Sequence, residues 1–165
     1  MIRFSGKPFL MAFLTLLNDP AVQQNVVLRI SGLRSDFPPA WGRMNAEQMV
    51  RHLTDTFRMA LKELEVDNCA GFLNGPFGRF LVLYLPVRWP KGYPTLPELD
   101  AVRLPPSDSD FEQDKSELLL QIDRFCRSEP GQLLAEHPIL GKMTHREWMR
   151  WGYLHTGHHL RQFGC

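Results

Sequence analysis

The stretch THREWMRWGYLHTGHHLRQF, residues 144–163, decides the fold and holds four of the chain's six histidines. It opens with a capping box, in which the side chains of Thr144 and Glu147 each bond to a free backbone N–H at the start of a helix. On a helical wheel at about 100° per residue, Trp148 and Trp151 lie on one side and the arginines lie opposite. The pattern predicts an amphipathic helix whose tryptophan face packs into the protein core.

Three further helices are predicted from their start signals. The first begins with Asp19 followed by a proline, which is well suited to the first helical position. The other two begin with capping boxes at Asn45 and Ser109, each followed three residues later by Gln or Glu. The predicted spans are about 19–31, 45–65 and 109–126.

The connection between the second and third helices, about residues 66–108, is long and contains most of the prolines. Its apolar stretch FLVLYLPVRW, residues 80–89, is compatible with a strand, a short helix or a packed arm. The Trp89–Gly92 turn is expected to be a rigid connection rather than a lid, because prolines restrict the chain. We therefore predict an all-α four-helix bundle in residues 19–165, with a long Pro-rich crossover and an N-terminal extension at 1–18.

Composition limits the function classes. A chain of 165 residues is long enough for one domain, and a net charge of +1 argues against a nucleic-acid binder. Three widely spaced cysteines favour a reducing compartment, so we expect a cytoplasmic protein. The apolar run at residues 8–17 is too short to span a membrane and lacks a small-residue cleavage site, which favours a packed element over a signal peptide.

Two histidines of the last helix point to a metal. His155 and His159 are one turn apart on the inward face, a spacing at which two imidazoles can chelate one ion. The alternative is that each bonds to a backbone carbonyl or a carboxylate, and the sequence leaves both open. His158 lies about 100° from His159 on the wheel, so it is expected behind the ligands or at the rim.

A third ligand has to come from another helix, and His52 is the candidate. It lies at the boundary of its helix, about 80° from the apolar centre, and the alternative is a surface histidine. Asp55, one turn later, could orient an imidazole or accept a proton, although a solvated carboxylate is the simpler interpretation. Gln162 points inward, where it could support a ligand by a hydrogen bond. His137 and His145 are interpreted as structural.

The positions of these histidines and of Gln162 resemble the sequence pattern of a known family. A histidine in the second helix followed by H-x-x-H-H-x-x-Q in the last helix resembles the DinB-like superfamily of metalloenzymes. More closely, the chain is similar to one branch catalogued as a domain of unknown function. The similar segments are WGRMNAEQMVRHL (residues 41–53), WPKGYPTLPE (89–98) and HPILG…EW…HHLRQFG (137–164).

The resemblance implies a four-helix bundle with a long crossover, frequent homodimers, and one divalent metal held by His52, His155 and His159. Zn or Ni is expected, with Fe or Mn as alternatives, because imidazole suits several of these metals. Superfamily members of known activity look like thiol S-transferases or isomerases that use a small thiol. The chain is thus expected to be a metal-dependent enzyme that activates a small thiol or water. The alternative is a metal-binding or interaction bundle without turnover.

Overall fold

A computed structural model describes residues 15–69, 71–103, 109–130 and 135–165. Within these ranges the regular structure is helical and contains no strand, which confirms the all-α prediction. The N-terminal element predicted at residues 8–17 lies mostly outside the described residues. The described residues form five α-helices and one 3₁₀ turn: α1 Pro20–Ser31, α2 Ala46–Ala60, α3 Pro76–Tyr84, the 3₁₀ turn Pro97–Leu99, α4 Phe111–Cys126 and α5 His145–Gln162.

Three of the four predicted helix starts form as the sequence indicates. The Asp19 carboxylate accepts hydrogen bonds from the first backbone N–H groups of α1. Complete capping boxes open α2, at Asn45 and Gln48, and α5, at Thr144 and Glu147. Each box satisfies two backbone N–H groups that would otherwise lack a partner.

The start of α4 and the end of α2 differ from the prediction. Asp110, not Ser109, caps α4, because its carboxylate accepts the backbone N–H of Gln113 at 2.8 Å. Helix α2 ends at Ala60 rather than near residue 65, and Lys62 follows with a φ of 64°. That left-handed conformation ends the helical path.

Helix α2 is the central element of the core. It packs along α4 and against the 3₁₀ turn, while α1 contacts α4 and α5, and α3 contacts α5. The Phe57 ring lies edge-to-face with Phe125, at 5.0 Å between centroids, and with Trp151, at 6.2 Å. Aromatic pairs of this kind add to the stabilisation from burial. They fix the spacing between the helices that carry the site.

The crossover contains a helix that the sequence left undecided. Residues 80–84 of the apolar stretch belong to α3, and the chain becomes extended from Leu85. The Trp89 indole N–H donates to the carbonyl of Val82 at 3.0 Å, and the Lys91 ammonium lies 4.6 Å above the Trp41 ring. These contacts anchor the turn against the body of the protein.

The outer side of α5 is less exposed than its arginines suggest. Arg150 is buried, because α3 and the chain near residue 15 cover it. Its guanidinium donates to the carbonyls of Leu83 and Thr15, each at 3.0 Å. The wheel misplaced this residue because the covering segments are distant in sequence.

No helix in the described part of the chain has both the length and the apolar character that a membrane span requires.

Candidate metal centre

Three imidazoles from two helices converge at one point. His52 comes from α2, and His155 and His159 come from α5. The Nε2 atom of His155 lies 3.3 Å from that of His52 and 3.2 Å from that of His159. All three side chains are buried, and one donor atom from each lies within 4.8 Å of the others.

His52 is more deeply placed than the wheel predicted. Only 4% of the residue is exposed, whereas the sequence indicated a boundary position. The reason is the 3₁₀ turn of the crossover, which covers this flank of α2. The Leu99 carbonyl there lies 2.8 Å from the His52 Nδ1 atom.

The hydrogen bonds fix the tautomers of two imidazoles. A carbonyl can only accept, so His52 carries its proton on Nδ1, where it donates to Leu99. His159 places Nδ1 2.9 Å from Oε1 of Gln162, whose amide NH₂ donates to the Trp41 carbonyl at 2.7 Å. That second bond sets the amide orientation, so His159 also donates from Nδ1. Both residues therefore present a bare Nε2 lone pair to the centre.

The His155 imidazole cannot form hydrogen bonds with both His52 and His159 at the same time. A proton on its Nε2 could be donated to only one of the two lone pairs, and without that proton three lone pairs face one another. Its Nδ1 atom is buried and has no hydrogen-bond partner among the described residues. A buried polar group without a partner is costly. A cation that accepts all three Nε2 lone pairs removes the conflict between them.

Burial keeps the three imidazoles neutral, which is the form that binds metal. Burial lowers the pKa of His52 despite the opposing bond to the Leu99 carbonyl. The pKa values of His155 and His159 lie well below the usual value, first because of burial and then because of the neighbouring imidazoles.

The spacing of the nitrogens fits a divalent metal. Zinc binds imidazole nitrogen at about 2.0–2.1 Å, so two nitrogens on a tetrahedral ion lie about 3.3 Å apart. The two short Nε2–Nε2 distances here are 3.3 and 3.2 Å. The donor type, protonation and spacing of these side chains therefore all suit a metal of this class.

An open cleft of ≈ 640 Å³ leads to the three histidines. The His155 ring stacks on Trp151 with centroids 4.8 Å apart, and Trp89 lies 6.0 Å away at a tilt of 35°. The described residues of the crossover form a wall of this cleft and leave it open. A ligand position facing the cleft is therefore accessible to a small molecule.

The remaining predicted site residues lie in different surroundings. His158 is half-buried in the cleft wall, with its ring centroid 5.7 Å from that of Trp41, and it is not one of the three converging imidazoles. Asp55 pairs with Arg51 at 4.0 Å and Arg58 at 3.7 Å rather than with His52. Burial raises the pKa of this carboxyl, and the structure does not bring it to the centre.

Several residues that support the three imidazoles could not be identified from their residue type. The Leu99 acceptor is a main-chain carbonyl, and Trp41 likewise acts through its carbonyl. Their sequence signal is their position: Trp41 opens the WGRMN segment, and Leu99 directly follows the WPKGYPTLPE segment. Gly42 is a further case, because a Cβ there would lie 2.6 Å from Nε2 of Gln162.

Gly42→Ala is expected to weaken metal binding roughly tenfold, the low end of the loss seen when the partner of a ligand is disturbed. The added methyl displaces Gln162, which orients His159. The φ of +83° at Gly42 also costs an alanine about 1–3 kcal/mol. Competition titration with a zinc chelator measures the first effect, and denaturant unfolding measures the second.

Gly92→Ala is the matched control, because Gly92 has a φ of +72° but no atom of the described residues lies within 4 Å of an added Cβ. It is expected to lose stability and keep its metal affinity. Equal metal affinities for both variants would contradict the role assigned to the glycine beside Gln162.

Comparison with known proteins places the chain in one family. The family model described as "Protein of unknown function (DUF1569)" matches residues 17–164, so the chain belongs to this family. The matched range contains helices α1 to α5 and the three converging histidines. No curated protein and no solved structure matches the chain. Membership of the wider DinB-like superfamily stays a prediction.

Proposed function

We propose that this member of the DUF1569 family binds one divalent metal through His52, His155 and His159 and is an enzyme that activates a small thiol or water for transfer to an electrophile. One observation carries the proposal. Three Nε2 atoms meet at the edge of an open cleft, and two of them have their proton fixed on the opposite nitrogen. Neutral imidazoles with converging lone pairs are a metal-binding arrangement.

The number of ligands favours catalysis over a structural role. Structural zinc sites are closed by four protein ligands, whereas catalytic sites keep one position open. The three histidines and the cleft correspond to the second type. A bound divalent ion lowers the pKa of a water or thiol and so supplies a nucleophile near neutral pH. Zn or Ni is the expected metal, with Fe or Mn as alternatives.

The chain's own residues orient the three imidazoles and form the walls of the cleft in which a substrate would bind. Leu99 and Gln162 keep the ligand imidazoles oriented, which preserves the geometry between turnovers. The indole rings of Trp89 and Trp151 both pack against the His155 ring, with centroids 6.0 and 4.8 Å from it, and give it apolar surroundings. The largely apolar, aromatic walls suit the carbon body of a small organic substrate.

One edge of the cleft carries positive charge. Among the residues that the structure describes, the acidic and basic ones in its lining are Arg43, Asp100 and Arg103. The Asp100 carboxylate lies 3.0 Å from Nε of Arg103 and 4.0 Å from Nη2 of Arg43. Two guanidinium groups around one carboxylate leave a net positive charge, which favours a substrate with an anionic group.

The proposal includes a DinB-like architecture, with α1, α2, α4 and α5 as the four helices of the bundle and α3 in the crossover. The contacts of α1 with α4 and α5, and of α2 with α4, support this arrangement. The homodimer implied by the resemblance is carried with it as a proposal.

A conjugation assay tests the enzymatic part. Zinc- or nickel-loaded protein is mixed with L-cysteine, or with cysteamine, which lacks the carboxylate, and with 1-chloro-2,4-dinitrobenzene as the electrophile. We expect the thiol to be conjugated at least about tenfold faster with metal-loaded protein than with metal-free protein. This difference corresponds to an activation barrier that is lower by about 1.4 kcal/mol. L-Cysteine is expected to be the better thiol because of the positive edge. Stoichiometric metal without any acceleration over a panel of thiols would favour a binding protein without turnover.

A further inference from the structure

A fourth histidine faces the same cleft without belonging to the metal centre. His137 precedes α5, is 6% exposed, and contributes to the cleft lining. Its ring packs against Trp151 and Trp148, with centroids 5.2 and 5.5 Å apart. The sequence suggested a purely structural role. Its hydrogen bonds point to a further one.

One nitrogen of His137 is already occupied. Its Nδ1 atom accepts the backbone N–H groups of Ile139 at 3.1 Å and Leu140 at 3.2 Å. A backbone N–H can only donate, so Nδ1 carries a lone pair and the neutral ring has its proton on Nε2. The turn after His137, closed by its backbone pairing with Gly141, holds the ring in this tautomer.

The other nitrogen is a donor without a partner. Nε2–H of His137 makes no hydrogen bond with any of the residues that the structure describes. Burial lowers the pKa of this imidazole to about 4, so it stays neutral near pH 7. The residue is nine-tenths buried, but its Nε2 atom is not among the sealed polar atoms that lack a partner. The donor therefore keeps access to the cleft that His137 lines, where a water or a ligand oxygen can accept its proton.

We propose that His137 is a substrate-binding residue, whose Nε2–H donates to an acceptor oxygen of the small molecule that occupies the cleft. The inference rests on the proposed function, because it takes the cleft as the substrate site. It narrows the substrate class to electrophiles with a carbonyl, carboxylate or similar oxygen. An oxygen bound in this way is oriented within the same cavity that the three Nε2 atoms border.

A matched pair of probes isolates this hydrogen bond. Acetophenone and α-methylstyrene have nearly the same shape, but only the ketone has an acceptor oxygen. Their dissociation constants are measured by NMR titration, with zinc and after chelator treatment. The ratio of the two constants in each variant cancels the difference in hydration between the probes.

Two substitutions separate the donor from the structural role. In His137→Asn the side-chain oxygen can replace Nδ1 as the acceptor of the turn, but no donor reaches the Nε2 position. In His137→Gln the amide nitrogen can reach that position, while the acceptor of the turn is lost. We expect His137→Asn to reduce the preference for acetophenone over α-methylstyrene about 3- to 10-fold. The His137→Gln variant is expected to retain part of this preference. A purely structural role predicts the reverse order.

The ¹⁵N spectrum of the wild-type histidine rings adds a test that does not depend on a variant folding. His137 is expected as the Nε2–H tautomer from pH 6 to 8, with and without zinc. An Nδ1–H tautomer, an imidazolium, or an unchanged probe preference in His137→Asn would overturn the inference. Wild type that binds no metal but keeps the preference would overturn the proposed metal centre alone.

Discussion

His155→Ala is expected to abolish stoichiometric metal binding while the helical fold persists. Nε2 of His155 lies within 3.3 Å of the Nε2 atoms of both His52 and His159, so its loss leaves two imidazoles without the group that joins them. We expect affinity to fall by more than about 100-fold, the upper end of the loss when only a supporting partner is removed. Elemental analysis of gently purified protein gives the stoichiometry, and circular dichroism gives the helix content.

His145→Gln is the control for this substitution. His145 is on the same helix, and its Nε2 atom lies 2.6 Å from the Ser128 carbonyl, away from the centre. This variant is expected to keep about one metal per chain. Full metal content in His155→Ala, or equal loss in both variants with native helix content, would contradict the ligand assignment.

Gln162→Leu is expected to weaken metal binding about 10- to 100-fold, because the His159 Nδ1–H loses its acceptor. Without that bond the ring can rotate and the tautomer that exposes Nε2 is no longer favoured. The Trp41 carbonyl also loses its donor, which costs the folded state about 1–3 kcal/mol. Chelator competition measures the affinity, and denaturant unfolding measures the stability.

Gln162→Glu separates the two effects. A carboxylate still accepts the His159 proton, so metal affinity is expected within about tenfold of wild type, a smaller loss than that of an absent partner. The same carboxylate faces the Trp41 carbonyl and lowers stability. If the Gln162→Leu variant binds metal as tightly as the wild type, Gln162 plays no part in orienting the His159 imidazole.

Local sequence signals predicted the helices well because their causes are local. The capping boxes at Asn45 and Thr144 form from residues three apart, and periodicity placed His155, His159 and Gln162 inward on α5. The error at Ser109 has the same local origin, since Asp110 offers a competing cap one residue later. These features need no knowledge of the rest of the chain.

What the sequence did not predict depends on contacts between distant segments. His52 looked like a boundary residue because the wheel cannot show that Leu99, 47 residues later, covers it. Arg150 looked exposed for the same reason, since Leu83 and Thr15 lie over it. The sequence left helix α3 undecided, because a short apolar run fits several conformations.

The candidate site shows the same division. The three imidazoles were named from spacing and resemblance, whereas the atoms that set their tautomers are a carbonyl and an amide from separate segments. His137 was interpreted as structural, and its two backbone bonds support that role. Its Nε2–H, which has no partner among the described residues, could be interpreted only once the cleft was known.

A crystal structure of zinc-loaded protein, with data collected at the zinc absorption edge, tests the metal assignment most directly. We predict one anomalous peak about 2.0–2.1 Å from Nε2 of His52, His155 and His159. The coordination position of the zinc ion that no histidine fills would face the cleft. A zinc-saturated crystal with no peak among these three nitrogens, or with zinc bound only at other side chains, would contradict this prediction.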